Sequence, residues 1–523
     1  MKVAIIGMGT AGVSTLNQLT KHKNFKNITV DIFDSSEDMG MGKPFQNDSD
    51  RLLINLPANQ MSLDPDDEKD FKKWYKNNDI FDYGKAKYLP RLVFGHYMKS
   101  ILHNILNKYD NIFVHKYKVD SCYVEEIKDE RGQYKIDICY IEDNEAVCQK
   151  YDYVFMTIGT LPYKDPYKLK GVKGYIESPY PTVQSLRGVK ENDDIAIIGT
   201  GLSSVDVIRY VMENHKQFPI VVTSRHAQFP TVRGINHDIK LKYICVEEVE
   251  KIKKIHKGIA PLFEIEELFK KECAYQNIDL KKMLHRFKKD NVINIKYDLK
   301  HEDEVGHFQS FVEEVKHNMI PLWNAMTIKD KETFLSKYGQ HFKRNANPMP
   351  QSSAKQLIEW IESGDVVVKE GLENVRKYYG KFRLKYKNSE NEDSYHYVIN
   401  ATGPKMHLSE LNEDEHFIKG LENKQIIAPH PFGGILVVPY SNEIISPKYG
   451  TMPNLKAIGQ ITSGVNFDVN GVSLLVDETV RAVNDLYIEL EERNLKNNNK
   501  KKKSKKKKKI NTIRESMKLV KLH

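Results

Sequence analysis

The sequence predicts an α/β protein with two Rossmann-like dinucleotide-binding domains and an inserted helical subdomain. Three observations predict it. An apolar run, a glycine-rich turn and a helical pattern follow one another at residues 3–20. The same succession returns at residues 194–212. Between residues 240 and about 380 the chain turns amphipathic and highly charged. At 523 residues the chain is too long for one core, so several domains are expected.

The first twelve residues read MKVAIIGMGTAG. Residues 3–6 suit a buried strand. Gly7, Gly9 and Gly12 form G-x-G-x-x-G, and Thr10 and Ala11 lead into a helix with Val13, Leu16 and Leu19 on one face. In such a unit Gly7 allows the tight turn, Gly9 lets the backbone approach a pyrophosphate, and Gly12 permits close helix–strand packing. The helix N-terminus offers unpaired N–H groups and a positive dipole end to phosphates. A second apolar run, 28–33, ends at Asp34, about 22 residues past Gly12, where a carboxylate can accept both ribose hydroxyls. A glycine turn without a ligand is the alternative. It is weakened because strand, helix, second strand and acid occur together.

The second turn follows an apolar run at 194–198. Gly199-Thr-Gly201-Leu202-Ser203-Ser204 is G-x-G-x-x-S, continued by a helix over 205–212. Serine in the third place is small enough for helix–strand packing. The next strand, 219–223, ends in Ser224-Arg225-His226. Arginine there accommodates a 2′-phosphate, which a carboxylate would repel. The two units therefore differ as FAD and NADPH differ. Arg225 as a solvated charge is the other reading.

After Asp34 a long loop contains RLLINLPANQMSLDP at 51–65. Its Asn55, Asn59, Gln60 and Ser62 amid apolar residues suit the edge of a flat heteroaromatic ring, or equally a packed surface loop. Helices are expected at 66–77 and from 88 to 106, a strand at 112–114, a hairpin over 119–127 and 134–141, and a strand at 153–157. In the insert, amphipathic helices are expected at 265–273, 279–287, 308–317, 328–337 and 353–363. Residues 341–350 (HFKRNANPMP) read as a loop, in which Arg344 and Asn345 either face a substrate or do nothing. The chain returns with a strand at 397–400 closing on Thr402-Gly403. Then come a loop running into a strand at 429–438, a last strand at 455–459 closing on Gly459-Gln460, and a helix at 472–490. N–H groups at 466–471, at the start of that helix, are placed to stabilise negative charge on a reduced flavin.

Residues 1–120 resemble the FAD-NAD(P)-binding family of bacterial oxidoreductases, relatives of class B flavin monooxygenases and amino-acid N-hydroxylases. The phrases GMGTAG (7–12), LLINLPANQMSL (52–63) and LPRLVFGHY (89–97) carry the resemblance. It implies that Asn55, Met61, Ser62 and Arg91 are flavin neighbours, with a structural salt bridge as the other role for Arg91. GTGLSSVD resembles turns in the NADPH domains of flavin monooxygenases. Many flavin reductases have Gly-Asp where this chain has Gly459-Gln460, which distances it from disulfide reductases.

The expected division is a first part of the FAD domain at 1–160, a first part of the NADPH domain at 161–239 and a helical, substrate-covering subdomain at 240–380. A return to the FAD domain follows at 381–404, its last part at 405–493 and a basic tail at 494–523. The resemblance implies an FAD-dependent, NADPH-using monooxygenase with a small-molecule substrate and molecular oxygen, and N-hydroxylation of an amine or amino acid as one possible reaction. A reductase or dehydrogenase without oxygenation, and a flavin-binding redox sensor or scaffold, are the alternatives. No catalytic residue is assigned.

Composition narrows the field. Hydrophobic content of 40% and charge of 29% are ordinary for a soluble globular chain. No run of about 18 apolar residues predicts a membrane span, and no signal peptide is expected before the first strand. The net charge of +9 belongs to the tail, where residues 496–523 hold 13 Lys/Arg against one acid. Such a segment cannot form a core. A solvated tail is expected, with weak attachment to nucleic acid or an anionic membrane as the lesser alternative. Cys122, Cys139, Cys148, Cys245 and Cys273 are widely spaced without CxxC. A cytoplasmic, reducing location without disulfides, and no metal site, are therefore expected. HExxH, GxSxG and GxxxxGK[ST] are absent, which argues against hydrolase and P-loop chemistry.

Overall fold

The structure, a computed structural model, describes residues 1–78, 81–125, 133–215, 218–288, 290–387, 389–412, 415–468 and 470–492. The expected basic tail, and residues 126 and 127 of the expected hairpin, lie outside them.

Two parallel sheets organise the chain. The first has six strands in the order Glu443–Ser446, Gly450–Ala457, Tyr153–Met156, Lys2–Ile6, Thr29–Phe33, Ile112–His115, parallel except for the first. Residues 3–6 are buried on both faces, which explains their unbroken apolar run. One face packs on the helices Thr10–Lys21 and Arg91–Lys108 and on helical residues 472–492, through Val13, Leu16, Val93, Phe94, Val483 and Leu486. The other face, through Ala4, Ile6 and Phe33, packs on an antiparallel sheet of Val119–Val124, Ile136–Glu142 and Glu145–Tyr151.

The second sheet has the order Val366–Glu370, Ile220–Ser224, Ile195–Ile198, Tyr397–Asn400, Tyr175–Ile176, all parallel. Helices Leu202–Asn214 and Gln351–Glu362 cover one face, and an antiparallel sheet of Leu372–Tyr378, Lys381–Tyr386 and Asp393–Tyr395 covers the other.

Between Ile220–Ser224 and Val366–Glu370 lie the insert helices Val246–Ile255, Leu262–Tyr275, Leu280–His285, Asn291–Lys300, Glu302–His317, Met319–Ala325 and Ile328–Ala346. Their core includes Phe311, Val315, Trp323 and Phe334, and also Phe467 from the far end of the chain. Trp323 Nε1 donates to Gly464 O (2.7 Å) and Asn324 Nδ2 to Val465 O (2.9 Å). The insert is thereby docked on the turn that precedes the last helix.

Four local expectations are corrected. The helical pattern stops at Glu362 rather than near residue 380, because 366–370, 372–378 and 381–386 are strands, the last alternating between buried and more exposed residues. Residues 341–346 are helical, not a loop. Phe334, Tyr338, Phe342 and Ala346 recur every four residues on the insert core. Residues 429–438 form isolated bridges, Pro429 with Ile435 and Val437 with Ile444, in place of a strand. Cys139 and Cys148 are joined by a disulfide, contrary to the expectation of none. They sit directly opposite on neighbouring antiparallel strands, and the second of these, Glu145–Tyr151, was not foreseen.

Candidate cofactor and substrate site

The first glycine turn is fixed by packing. Gly7 has φ +93°, its N–H donates to Phe33 O (2.8 Å), and a Cβ on it would lie 2.6 Å from Thr157 O. A Cβ on Gly12 would lie 2.1 Å from Gly7 O. Gly9 differs: its Cβ would meet only Gly42 Cα, at 3.5 Å, an ordinary contact. Thr10 and Ala11 open a helix with no side-chain cap, which leaves its first amides without partners inside the helix. Asp34 is set at the end of the second strand by two backbone donors, Met8 N (2.6 Å) and Ser36 N (2.7 Å).

The loop 51–65 is pinned beside the helix Arg91–Lys108. Ile54 N donates to Leu89 O (2.9 Å) and Arg91 N to Leu52 O (2.7 Å), which brings the second and third family phrases together. Met61 is buried in the core near Tyr97. Ser62 Oγ exchanges hydrogen bonds with the Asp64 backbone, and Asn55 O accepts from Arg233 Nε (2.7 Å). Arg91 pairs with Asp206 (2.6 Å) on the helix of the second unit, and Tyr180 Oη donates to the same carboxylate (2.6 Å). Burial opposes the Arg91 charge, but Asp206 and Tyr180 outweigh it and hold its pKa above the usual range. Arg91 therefore links the two units.

The second turn repeats the first. Gly199 has φ +115°, its N–H donates to Thr223 O (2.8 Å), and its Cβ would lie 2.4 Å from Ala401 O. Gly201 faces open space, and the helix beginning at Leu202 and Ser203 has no side-chain cap. Ser204 is fully buried, with an unpaired Oγ. Arg225 and His226 are exposed, and neither side chain has a hydrogen bond or ion pair among the described residues. Thr402 is held by Asn400 Oδ1 (2.7 Å), and Gly403, at φ +85°, opens onto free space.

Gly459 belongs with the first turn: a Cβ on it would lie 3.9 Å from Ala11 Cβ. Gln460 Nε2 donates to Asn470 Oδ1. Beneath this turn lies Glu478, fully buried. It accepts from Gly459 N (2.7 Å), Thr462 Oγ1 (2.7 Å), Asn442 Nδ2 (2.5 Å) and Asn466 Nδ2 (2.9 Å). Burial pushes its pKa up, and these four donors oppose the shift. Sequence reasoning missed Glu478, although an acid two residues after Val476 in an amphipathic helix was a visible signal. It also missed Arg233, which stands in no recognisable spacing.

Arg344 lies over the Phe287 ring (3.9 Å), with its Nε buried and unpaired. Burial and the neighbouring Arg286 pull its pKa down to about 10. Asn345 is buried and accepts from Arg286 (3.3 Å), so it is held within the insert. Among the described residues no cluster of His, Cys, Asp or Glu could hold a metal ion, and no helix is long and apolar enough to cross a membrane.

Two parallel sheets, each with an uncapped glycine turn at the strand ends, define a two-dinucleotide-domain flavoprotein fold. Residues 4–161 match the family model described as FAD-NAD(P)-binding. Among solved structures the chain is similar to L-lysine 6-monooxygenase from Pseudomonas syringae, at 11% identity over 93% of this chain and 98% of that one, with a TM-score of 0.58. It is also similar to the ornithine hydroxylase from Pseudomonas aeruginosa (12%, 94% and 99%, TM-score 0.57). A third is the Kutzneria ornithine N-hydroxylase, solved with reduced FAD, NADP+ and L-ornithine (10%, 93% and 99%, TM-score 0.55). At these identities the likeness is one of fold. No curated protein matches the chain by sequence.

Proposed function

We propose that this chain is an FAD-dependent, NADPH-consuming oxidoreductase. Within that class it is read as a monooxygenase of a small molecule, with N-hydroxylation of an amine or amino acid as the reaction. The observation that carries the reading is the pair of turns. Both are uncapped and open at Gly9 and Gly201, one ending in an anchored carboxylate and the other in an unpaired arginine.

The residues present fit the two dinucleotides. Gly9, Thr10, Ala11 and Asp34 would hold the pyrophosphate and ribose of FAD, with Asn55, Met61, Ser62, Gly459 and Gln460 about the rest of it. Gly201, Leu202, Ser203 and Arg225 would hold NADPH. Bound FAD supplies hydride acceptance and oxygen activation, chemistry that no side chain offers. The chain's own part is to place the dinucleotides and to exclude water. Trp323, whose ring centroid lies 5.2 Å from Phe432 and 5.0 Å from Phe467, packs where the insert meets Gly464.

The test is the absorbance of purified protein, followed by its bleaching with NADPH without oxygen and its recovery with oxygen. Bound FAD reduced by NADPH is the expected result, and a colourless protein that takes up no FAD overturns the reading. Substrate-dependent oxygen uptake with a hydroxylated product distinguishes oxygenation from simple reduction.

A further inference from the structure

Residues 231–237 leave the second parallel sheet as a strap along the helix Glu302–His317. The strap is bonded along its length. Val232 N donates to Asp298 Oδ2 (3.0 Å), Gly234 N to Gln309 Oε1 (3.0 Å), Ile235 N to Glu302 O (2.9 Å) and His237 N to Ser310 Oγ (3.0 Å). The approach is so close that a Cβ on Gly234 would lie 2.2 Å from Glu302 O, and one on Gly306 2.0 Å from Ile235 O. Arg233 is also held at both backbone groups, N to Met349 O (2.9 Å) and O from Gln351 Nε2 (3.2 Å). Its side chain reaches the first domain, where Nε donates to Asn55 O.

That bond uses one donor of five. Among the described residues the Arg233 guanidinium has no other hydrogen bond and no carboxylate within 4 Å, although it is half-buried. Burial lowers its pKa, with Glu313 and Tyr88 acting the other way. Arginine does not lose its proton in a protein, so the charge stays, with its remaining donors free to take an anion. Tyr88, 8% exposed, has its Oη buried without a partner, and it lies in the same region: Leu89, its neighbour in sequence, accepts from Ile54 N, one residue before the Asn55 that Arg233 meets. The Tyr88 pKa is raised by burial and drawn back by Arg233. A buried phenol without a partner and a guanidinium with free, accessible donors thus lie where the 51–65 loop and the strap meet.

We infer that Arg233, with Tyr88 beside it, anchors a carboxylate group of the small-molecule substrate. The inference rests on the flavoenzyme reading above. A guanidinium fork matches a carboxylate with two parallel hydrogen bonds, and a phenol adds a third donor. A cofactor phosphate has the same oxygen chemistry, so the experiment separates the two sources.

Wild type, Arg233→Ala, Arg233→Lys and Tyr88→Phe are titrated with three matched pairs: L-lysine and cadaverine, propionate and propionamide, hexanoate and hexanamide. Binding is read by thermal shift and by the flavin difference spectrum, alongside FAD content and the KM for NADPH. In wild type at least one carboxylate should bind more tightly than its partner. Arg233→Ala should weaken that carboxylate by about ten- to hundredfold and leave the partner unchanged. Arg233→Lys should retain part of the affinity, which also guards against misfolding of the alanine variant. Tyr88→Phe should cost a few-fold. The inference is overturned if wild type prefers no carboxylate, or if both members of each pair weaken equally. It is also overturned if Arg233→Ala loses FAD or NADPH affinity while carboxylate binding stands. A wild type that takes up no flavin defeats the flavoenzyme reading, and the thermal-shift titrations still report on Arg233.

Discussion

Gly7 and Gly199 occupy the same place in the two parallel sheets. Each has positive φ, each donates its N–H at 2.8 Å to the end of the next strand, and each leaves no room for a Cβ against a carbonyl of the strand on its other side. Each sheet also has helices on one face and a three-stranded antiparallel sheet on the other. The units part company at two positions. Gly12 touches backbone where Ser204 fits, and Asp34 is clamped by Met8 and Ser36 where Arg225 is unpaired. What the two turns share is demanded by the fold; Gly12 and Ser204 differ in packing, and Asp34 and Arg225 in the charge they present.

The largest effect is expected where the units are joined. Arg91→Met leaves Asp206 buried without its cation, and breaking such a pair costs about 3–5 kcal/mol. Denaturant unfolding should show that loss. The double variant with Asp206→Leu should recover much of it, because an apolar pair needs no compensation. Near-native stability with lost FAD would instead make Arg91 a flavin neighbour, the role the family resemblance gives it.

Next in size is the third small residue. Gly12→Ala places a Cβ 2.1 Å from Gly7 O, and such overpacking costs about 1–3 kcal/mol. Ser204→Ala only removes an unpaired buried hydroxyl and should change stability by less than about 0.5 kcal/mol. Equal melting temperatures for the two variants would mean that the turns are not distinguished by packing.

The middle glycines separate the ligands from the fold. A Cβ on Gly9 meets nothing closer than 3.5 Å and one on Gly201 nothing within 4 Å, so Gly9→Val and Gly201→Val should both fold. The first should be purified without flavin. The second should keep its flavin but be reduced by NADPH far more slowly. Full FAD occupancy in Gly9→Val would remove the first turn from the site.

Both turns were legible because strand, glycines and helix are local in sequence, and period and spacing report local structure. Residues 3–6 and 195–198 are buried strands, and helices begin at Thr10 and Leu202. The role of Arg91 was not legible, because Asp206 lies more than a hundred residues away and no spacing announces the pair. Arg233 was hidden for the same reason, since its Nε meets Asn55, 178 residues away, whereas Glu478 carried a signal in its own helix and was overlooked. The helix at 341–346 was misread because prolines just beyond it outweighed an i, i+4 face that continues to Ala346. Strand 366–370 was lost behind the charged pattern of the insert. Its neighbour in the sheet is Ile220–Ser224, and all seven insert helices lie between the two strands in sequence.

The smallest effect concerns one phosphate. Arg225 follows the strand Ile220–Ser224 as Asp34 follows Thr29–Phe33, so it stands beside the ribose expected for the second nucleotide. It is exposed and unpaired, so replacing it removes no internal contact and should leave stability unchanged. A charge-assisted hydrogen bond to a phosphate contributes roughly 1.5–3 kcal/mol, and solvent at an exposed site brings it to the low end. Arg225→Ala should therefore raise the KM for NADPH by about tenfold and barely alter the weaker use of NADH. The contrast with Asp34 sets the control: Arg225→Asp, which imitates the first unit, should lower NADPH use further through like-charge repulsion and narrow or reverse the preference. Equal losses for both cofactors in Arg225→Ala would give the residue a structural role. A wild-type preference for NADH would remove the 2′-phosphate from the second turn.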